Sequence, residues 1–270
     1  MKRFSDRAYL VFSGLLLIAG TLLSANGGRQ HPTISNHIGA FGTNDFFRGF
    51  ATLILSEPNW ERIHAQILAA PLFWVLGGLA LAVIARSVGE THWSTLGVVS
   101  LAMGATLWVV SYIFDGFVAD HTAAWLLSGD QATTPAYTAT FGANQWVSIR
   151  THYVAWLLIA FGTTVFSIAM ASLARRGAGR GRPLAVVLVV LGLALGAWSL
   201  VAVATGAFLP GPMVSLWYVP VLVGTQLWYL LAGILVIYRT LRRPRTRTTD
   251  ATPAPAVRAP ESTPAAVSAS

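Results

Sequence analysis

Six long apolar runs dominate this chain of 270 residues. A helix needs about 20 mostly apolar residues to cross the hydrocarbon core of a bilayer. The apolar residues here come in runs of about that length and do not alternate with polar ones. The sequence therefore predicts an all-α, polytopic integral membrane bundle of six transmembrane helices. The predicted spans cover residues 8–25, 63–85, 95–114, 153–174, 184–208 and 214–238.

Composition supports this fold class and excludes several chemistries. Only 10% of the residues are charged, against roughly 25% in a typical soluble domain, which is too few to cover a globular surface. The chain has no cysteine, which excludes disulfides, thiolate metal sites, cysteine nucleophiles and c-type haem attachment. The single lysine, Lys2, precedes the first run, so no lysine-based covalent catalysis can occur inside a helix. Histidines are the remaining nitrogen ligands.

The basic residues predict the orientation. Short cytoplasmic loops are enriched in Lys and Arg. With a cytoplasmic N-terminus, fourteen of the eighteen Lys and Arg residues fall on the cytoplasmic side. We therefore predict a multi-pass protein of the plasma membrane with both termini inside. Insertion and contact with anionic headgroups explain the positive charge, so no nucleic-acid partner is expected. The predicted partners are the lipid bilayer and other membrane protein subunits.

The segments outside the spans carry three further predictions. Residues 245–270 are rich in Pro, Ala, Thr and Ser without an apolar face, which predicts a disordered cytoplasmic tail. The first run is 18 residues long, longer than the 7–15 residues of a signal peptide, so it is expected to be retained. Cleavage near Ser24-Ala25 is the alternative. Residues 45–55 are too short to span and are typical of an amphipathic helix lying in the interface.

The second and fourth runs begin alike. Arg62-Ile63-His64 opens one, Arg150-Thr151-His152 opens the other 88 residues later, and both runs end at arginine. The simplest arrangement is three consecutive helical hairpins. It places His64 and His152 at a similar depth near the outer surface. The third run points outward and ends at Asp115. Consecutive elements are usually neighbours, so we predict that His64 and His152 lie close together, with Asp115 within reach.

Polar groups at membrane depth are expensive and often functional, and three interpretations of this cluster remain open. The first is a b-type haem with His64 and His152 as axial ligands and with propionates paired to Arg62 and Arg150. The second is a Zn, Fe or Cu ion bound by His64, His152, Asp115 and His121, suited to hydrolysis or oxidation. The third is structural, since His, Arg and Trp are favoured at the interface and Asp115 could pair with either arginine.

Several short elements occur in an order that resembles a group of uncharacterised bacterial six-helix membrane proteins. The elements are His31-Pro32, then Trp60 and His64, and then Asp115-Gly116-Phe117. The resemblance covers about residues 8–175 and implies a domain of unknown function, with no stated activity.

We therefore predict a non-enzymatic membrane component whose outer-face cluster binds a ligand. The alternatives are a haem or metal redox protein and a small-molecule transporter. The transporter is disfavoured because no charged residue falls near a helix midpoint.

Overall fold

The computed structural model describes residues 2–32, 39–176, 181–206 and 214–242. All regular secondary structure in these ranges is helical, and a π-helical turn, Phe114–Val118, joins α4 to α5. The predicted tail, 245–270, lies outside the described residues. The α-helices are α1 (Lys2–Gln30), α2 (Asn44–Ser56), α3 (Trp60–Arg86), α4 (Thr91–Ile113), α5 (Ala119–Ser128), α6 (Thr134–Arg176), α7 (Arg182–Thr205) and α8 (Val214–Arg242).

Six helical segments are long and apolar enough to cross a membrane: α1, α3, the continuous α4–α5 segment, α6, α7 and α8. The chain is thus a multi-pass membrane protein, and the predicted all-α bundle is confirmed. Each helical segment extends beyond its predicted span at one end or both, although α7 ends at Thr205, short of the predicted residue 208. With 43 residues, α6 is about 65 Å long, roughly twice the thickness of a hydrocarbon core.

The spans pack as three hairpins. Helix α1 lies against α3, α4 against α6, and α7 against α8, while contacts of α1 with α8 and of α6 with α7 join the hairpins. The α6–α7 contact is so close that a Cβ on Gly192 would lie 1.8 Å from the Ser167 hydroxyl oxygen. Only glycine allows α7 to approach α6 at this level.

A small aromatic core covers one end of the bundle. It is built by α2, α5 and the first turns of α6, which together we call the cap. Thr43 begins α2, its hydroxyl accepting a 3.2 Å hydrogen bond from the Phe46 amide. Phe46, Phe47 and Phe50 are 4–6% exposed and pack with Phe141 of α6. The helix expected at 45–55 is therefore present, but protein, not lipid, covers its apolar face.

Candidate metal centre

Two histidines and one aspartate meet beneath the cap. His31 follows α1, His64 lies one turn into α3, and Asp115 lies in the π-helical turn. One potential ligand atom from each side chain falls within 4.8 Å of the other two. Among the described residues, these three form the group of metal-ligating side chains that could hold an ion.

The orientation of His64 is fixed by its own helix. Its Nδ1 lies 2.8 Å from the Trp60 carbonyl oxygen, and because a carbonyl only accepts, Nδ1 carries the hydrogen and donates. Its Nε2 lies 3.2 Å from Asp115 Oδ2. In a neutral imidazole with this tautomer, Nε2 presents a lone pair to a carboxylate oxygen. That contact becomes attractive only when a proton or a metal cation is shared between the two atoms.

His31 is held in the same manner. Its Nδ1 lies 2.9 Å from the Pro32 carbonyl oxygen, which leaves Nε2 as the nitrogen with a free lone pair. The ring packs 5.0 Å from the ring of His64 and 5.3 Å from that of Trp60. Burial, and next the neighbouring His64, lower the pKa of His31. The imidazole is therefore neutral at neutral pH, the form that binds a metal.

The π-helical turn positions Asp115. Such a turn leaves carbonyl groups without their usual helical partners, and π-bulges occur frequently at functional sites. The Phe114 carbonyl accepts a 3.0 Å hydrogen bond from Asn144 Nδ2, and the Asp115 carbonyl accepts one of 2.8 Å from Trp60 Nε1. A Cβ on Gly116 would lie 2.4 Å from the Cβ of His64. Glycine at this position therefore allows α3 to approach the carboxylate.

His152 does not join the centre. The ring of Tyr112 packs against both histidines, with its centroid 5.6 Å from the ring of His64 and 5.7 Å from that of His152. The Nε2 of His152 is within hydrogen-bond distance of the Tyr218 hydroxyl, at 3.1 Å. His152 is not among the three residues that meet here, and the haem site with His64 and His152 and the metal set containing His152 stay predictions.

The other predicted site residues also lie elsewhere. The Arg62 guanidinium reaches Gln30 Oε1 at 3.5 Å, and that of Arg150 lies 5.1 Å above the Trp146 ring. The His121 side chain is 73% exposed and lies beside Asp120. None of the three supplies a ligand atom to the group, and the side-chain partner of Asp115 is His64, not an arginine.

The ligand set that was predicted from the sequence did not include His31. The sequence signal was present, since His31 follows the first apolar run and stands in the His31-Pro32 element. Its role was missed because no periodicity links a residue after a helix to the polar residues of later helices.

Two imidazoles and one carboxylate form the donor set of open zinc sites and of non-haem iron sites. A metal–nitrogen bond is about 2.0–2.1 Å, so ligand atoms on one ion stand about 3–4 Å apart. Closing the group from 4.8 Å thus needs a shift of about 1 Å. The carbonyl groups that orient His64 and His31 are the kind of second shell that metal-bound histidines have.

No protein-family model matches the chain, and no curated protein or solved structure matches it either. The resemblance of residues 8–175 to bacterial multi-pass proteins therefore stays a prediction.

Proposed function

We propose that this protein is a metal-binding membrane protein whose centre consists of His31, His64 and Asp115. The observation that carries the proposal is the 3.2 Å contact between His64 Nε2 and Asp115 Oδ2. The Trp60 carbonyl holds the imidazole hydrogen on the far nitrogen, so the contact requires a positive species. A divalent ion supplies this positive charge and can also be bound by the second imidazole, that of His31.

The donor set selects the class of metal. One carboxylate and two neutral imidazoles carry a net charge of −1, which a divalent cation more than compensates. Imidazole nitrogen suits Fe, Zn and Cu, whereas Mg and Ca prefer all-oxygen sites. Three protein ligands leave coordination positions open, as in catalytic sites. We therefore propose Fe²⁺ or Zn²⁺, with the open positions available to a ligand.

We also propose that the centre faces the outside of the plasma membrane. The cap and the centre lie at the end of the bundle where α1 ends and α3 begins. The opposite end carries Arg86, Arg175 and Arg182, in agreement with the excess of basic residues that cytoplasmic loops show. A centre on the outer side takes its ion from the medium.

The test is metal binding by the purified full-length chain in detergent. The protein is stripped with a chelator and titrated with Zn²⁺, and anaerobically with Fe²⁺, against a competing indicator. We expect one ion per chain, lost in His31→Ala, His64→Ala and Asp115→Asn. His121→Ala is the matched control, because this exposed histidine lies outside the group, and it should bind as wild type does.

A purely structural pair is the competing interpretation, in which a proton sits between His64 and Asp115. It predicts that the wild type binds no ion at the centre, and that His64→Ala lowers stability without changing metal content. Equal metal content in wild type and His64→Ala would therefore refute the proposed function.

A further inference from the structure

A continuous series of aromatic rings leads from the centre into the bundle. We call the six Trp and Tyr side chains that follow His64 the aromatic column. They come from α3, α4, α6 and α8, which are distant in sequence, and each ring lies near the next. The successive centroid distances are 5.6 Å from His64 to Tyr112, 4.6 Å to Trp108, 4.9 Å to Trp156, 6.4 Å to Trp74, 4.8 Å to Tyr229 and 5.1 Å to Trp228.

The position of these rings is unusual for a membrane protein. Tryptophan and tyrosine are favoured at the two membrane interfaces, yet the column extends inward. Tyr112 is 7% exposed and the other five rings 0–1%. Apolar packing alone is supplied by Leu, Ile or Phe without a polar atom to satisfy. Here the bundle gives hydrogen-bond partners to three of the column's four indole N–H groups: Trp108 donates to the Ile67 carbonyl at 3.1 Å, Trp228 to the Ser167 hydroxyl at 2.9 Å and Trp74 to the Thr21 hydroxyl at 3.3 Å.

Unlike Leu and Phe, Tyr and Trp can be oxidised by one electron at potentials that metal–peroxide chemistry reaches. Rings at these separations exchange electrons readily because their π-systems nearly touch. Tyr112 lies directly against His64, a ligand of the proposed centre. The first ring of the column is thus in place to give an electron to the metal site.

We infer that the centre is an iron site for one-electron oxidation, with peroxide as the oxidant, and that the aromatic column carries the oxidising equivalent away from it. The inference rests on the proposed metal centre and selects its chemistry. A zinc site for hydrolysis would have no use for the column, since Zn²⁺ has no redox chemistry. The donor set of two histidines and one carboxylate with open positions is that of non-haem Fe²⁺ enzymes.

The step balances with Fe²⁺ and Tyr112 as the two electron donors. Hydrogen peroxide takes up two electrons and two protons, its O–O bond breaks, and two water molecules form. One electron comes from Fe²⁺, which becomes Fe³⁺. The other comes from the Tyr112 phenol, which also gives one proton and becomes a neutral tyrosyl radical, and solvent supplies the second proton. An electron from Trp108, with return of a proton to the phenolic oxygen, then moves the radical to the indole.

The experiment uses the full chain in detergent, loaded anaerobically with Fe²⁺, mixed with one equivalent of hydrogen peroxide and frozen within milliseconds. Electron paramagnetic resonance should show an organic radical whose spectrum narrows when the protein contains ring-deuterated tyrosine. Tyr112→Phe keeps the ring and should lower the radical yield at least tenfold at unchanged iron content. Trp108→Phe should lengthen the lifetime of the tyrosyl radical. Tyr137→Phe, in the cap and outside the column, is the matched control and should behave as wild type.

Iron content is measured on the same samples, so the two proposals fail separately. An iron-loaded wild type without a radical, or a Tyr112→Phe variant with the wild-type radical and yield, overturns the inference and leaves the metal centre standing. A wild type that binds Zn²⁺ but not Fe²⁺ also overturns the inference and leaves the metal centre standing. A wild type that binds neither ion overturns the metal centre itself.

Discussion

Replacing Gly116 by alanine tests how closely α3 and the π-helical turn must approach. The new Cβ would lie 2.4 Å from the Cβ of His64, whereas ordinary carbon contacts are about 3.5–4.0 Å. His64 or the turn must therefore move by more than about 1 Å. Overpacking of this kind costs about 1–3 kcal/mol, which exceeds the gain of up to about 1 kcal/mol that alanine brings to a helix. We expect a net loss of stability.

The same movement should separate the ligands. Changes to groups that orient metal ligands cost about 10–100-fold in metal affinity, and we expect Gly116→Ala to fall in that range. The assay is a chelator-competition titration with the thermal unfolding midpoint measured alongside. Gly28→Ala is the matched control, because a Cβ on Gly28 meets nothing within 4 Å, and both quantities should stay at or above wild type. A Gly116→Ala protein with wild-type affinity and midpoint would refute the packing argument.

Three further experiments test orientation, protonation and the ligand set. Because the chain has no cysteine, Gln131→Cys should react with a membrane-impermeant maleimide in intact cells and Thr91→Cys only after lysis; the reverse pattern would invert the topology. The pKa of His31 is lowered in the folded protein, so the unfolded chain takes up this proton first, and the unfolding midpoint of the metal-free protein should fall as pH drops through about 6.5. In His31→Gln this fall should be shallower. Identical pH profiles of the variant and the wild type would contradict the burial argument. His152→Ala should retain the metal while losing about 1–3 kcal/mol of stability, because the Tyr218 hydroxyl loses its partner. Loss of the ion in this variant would show that His152 is a ligand.

The spans could be predicted from sequence because a bilayer imposes a length and a composition on every crossing segment. The structure also places Asp115 3.2 Å from His64, as the order of the helices predicts. The contacts of Tyr112 could not be predicted. A helix that is apolar on all sides has no polar face to fix its rotation, so the sequence does not show that the Tyr112 ring of α4 packs against both His64 and His152.

The π-helical turn could not be predicted for a different reason. Asp115-Gly116 was singled out as the end of a helix, yet the helical path continues through it into α5. The turn is held by the Trp60 indole and the Asn144 amide, which come from helices distant in sequence. Local propensity carries no information on such partners.

The three side chains of the proposed centre also define an order of events during synthesis. His31 leaves the ribosome first, His64 follows, and Asp115 comes last, about 4–17 s after His31 at an elongation rate of about 5–20 residues per second. Asp115 belongs to the third span, so the group of three side chains is incomplete until that span has been inserted. In the proposed centre, metal loading must therefore wait until three of the six spans have been inserted, and it cannot assist the insertion of the first two.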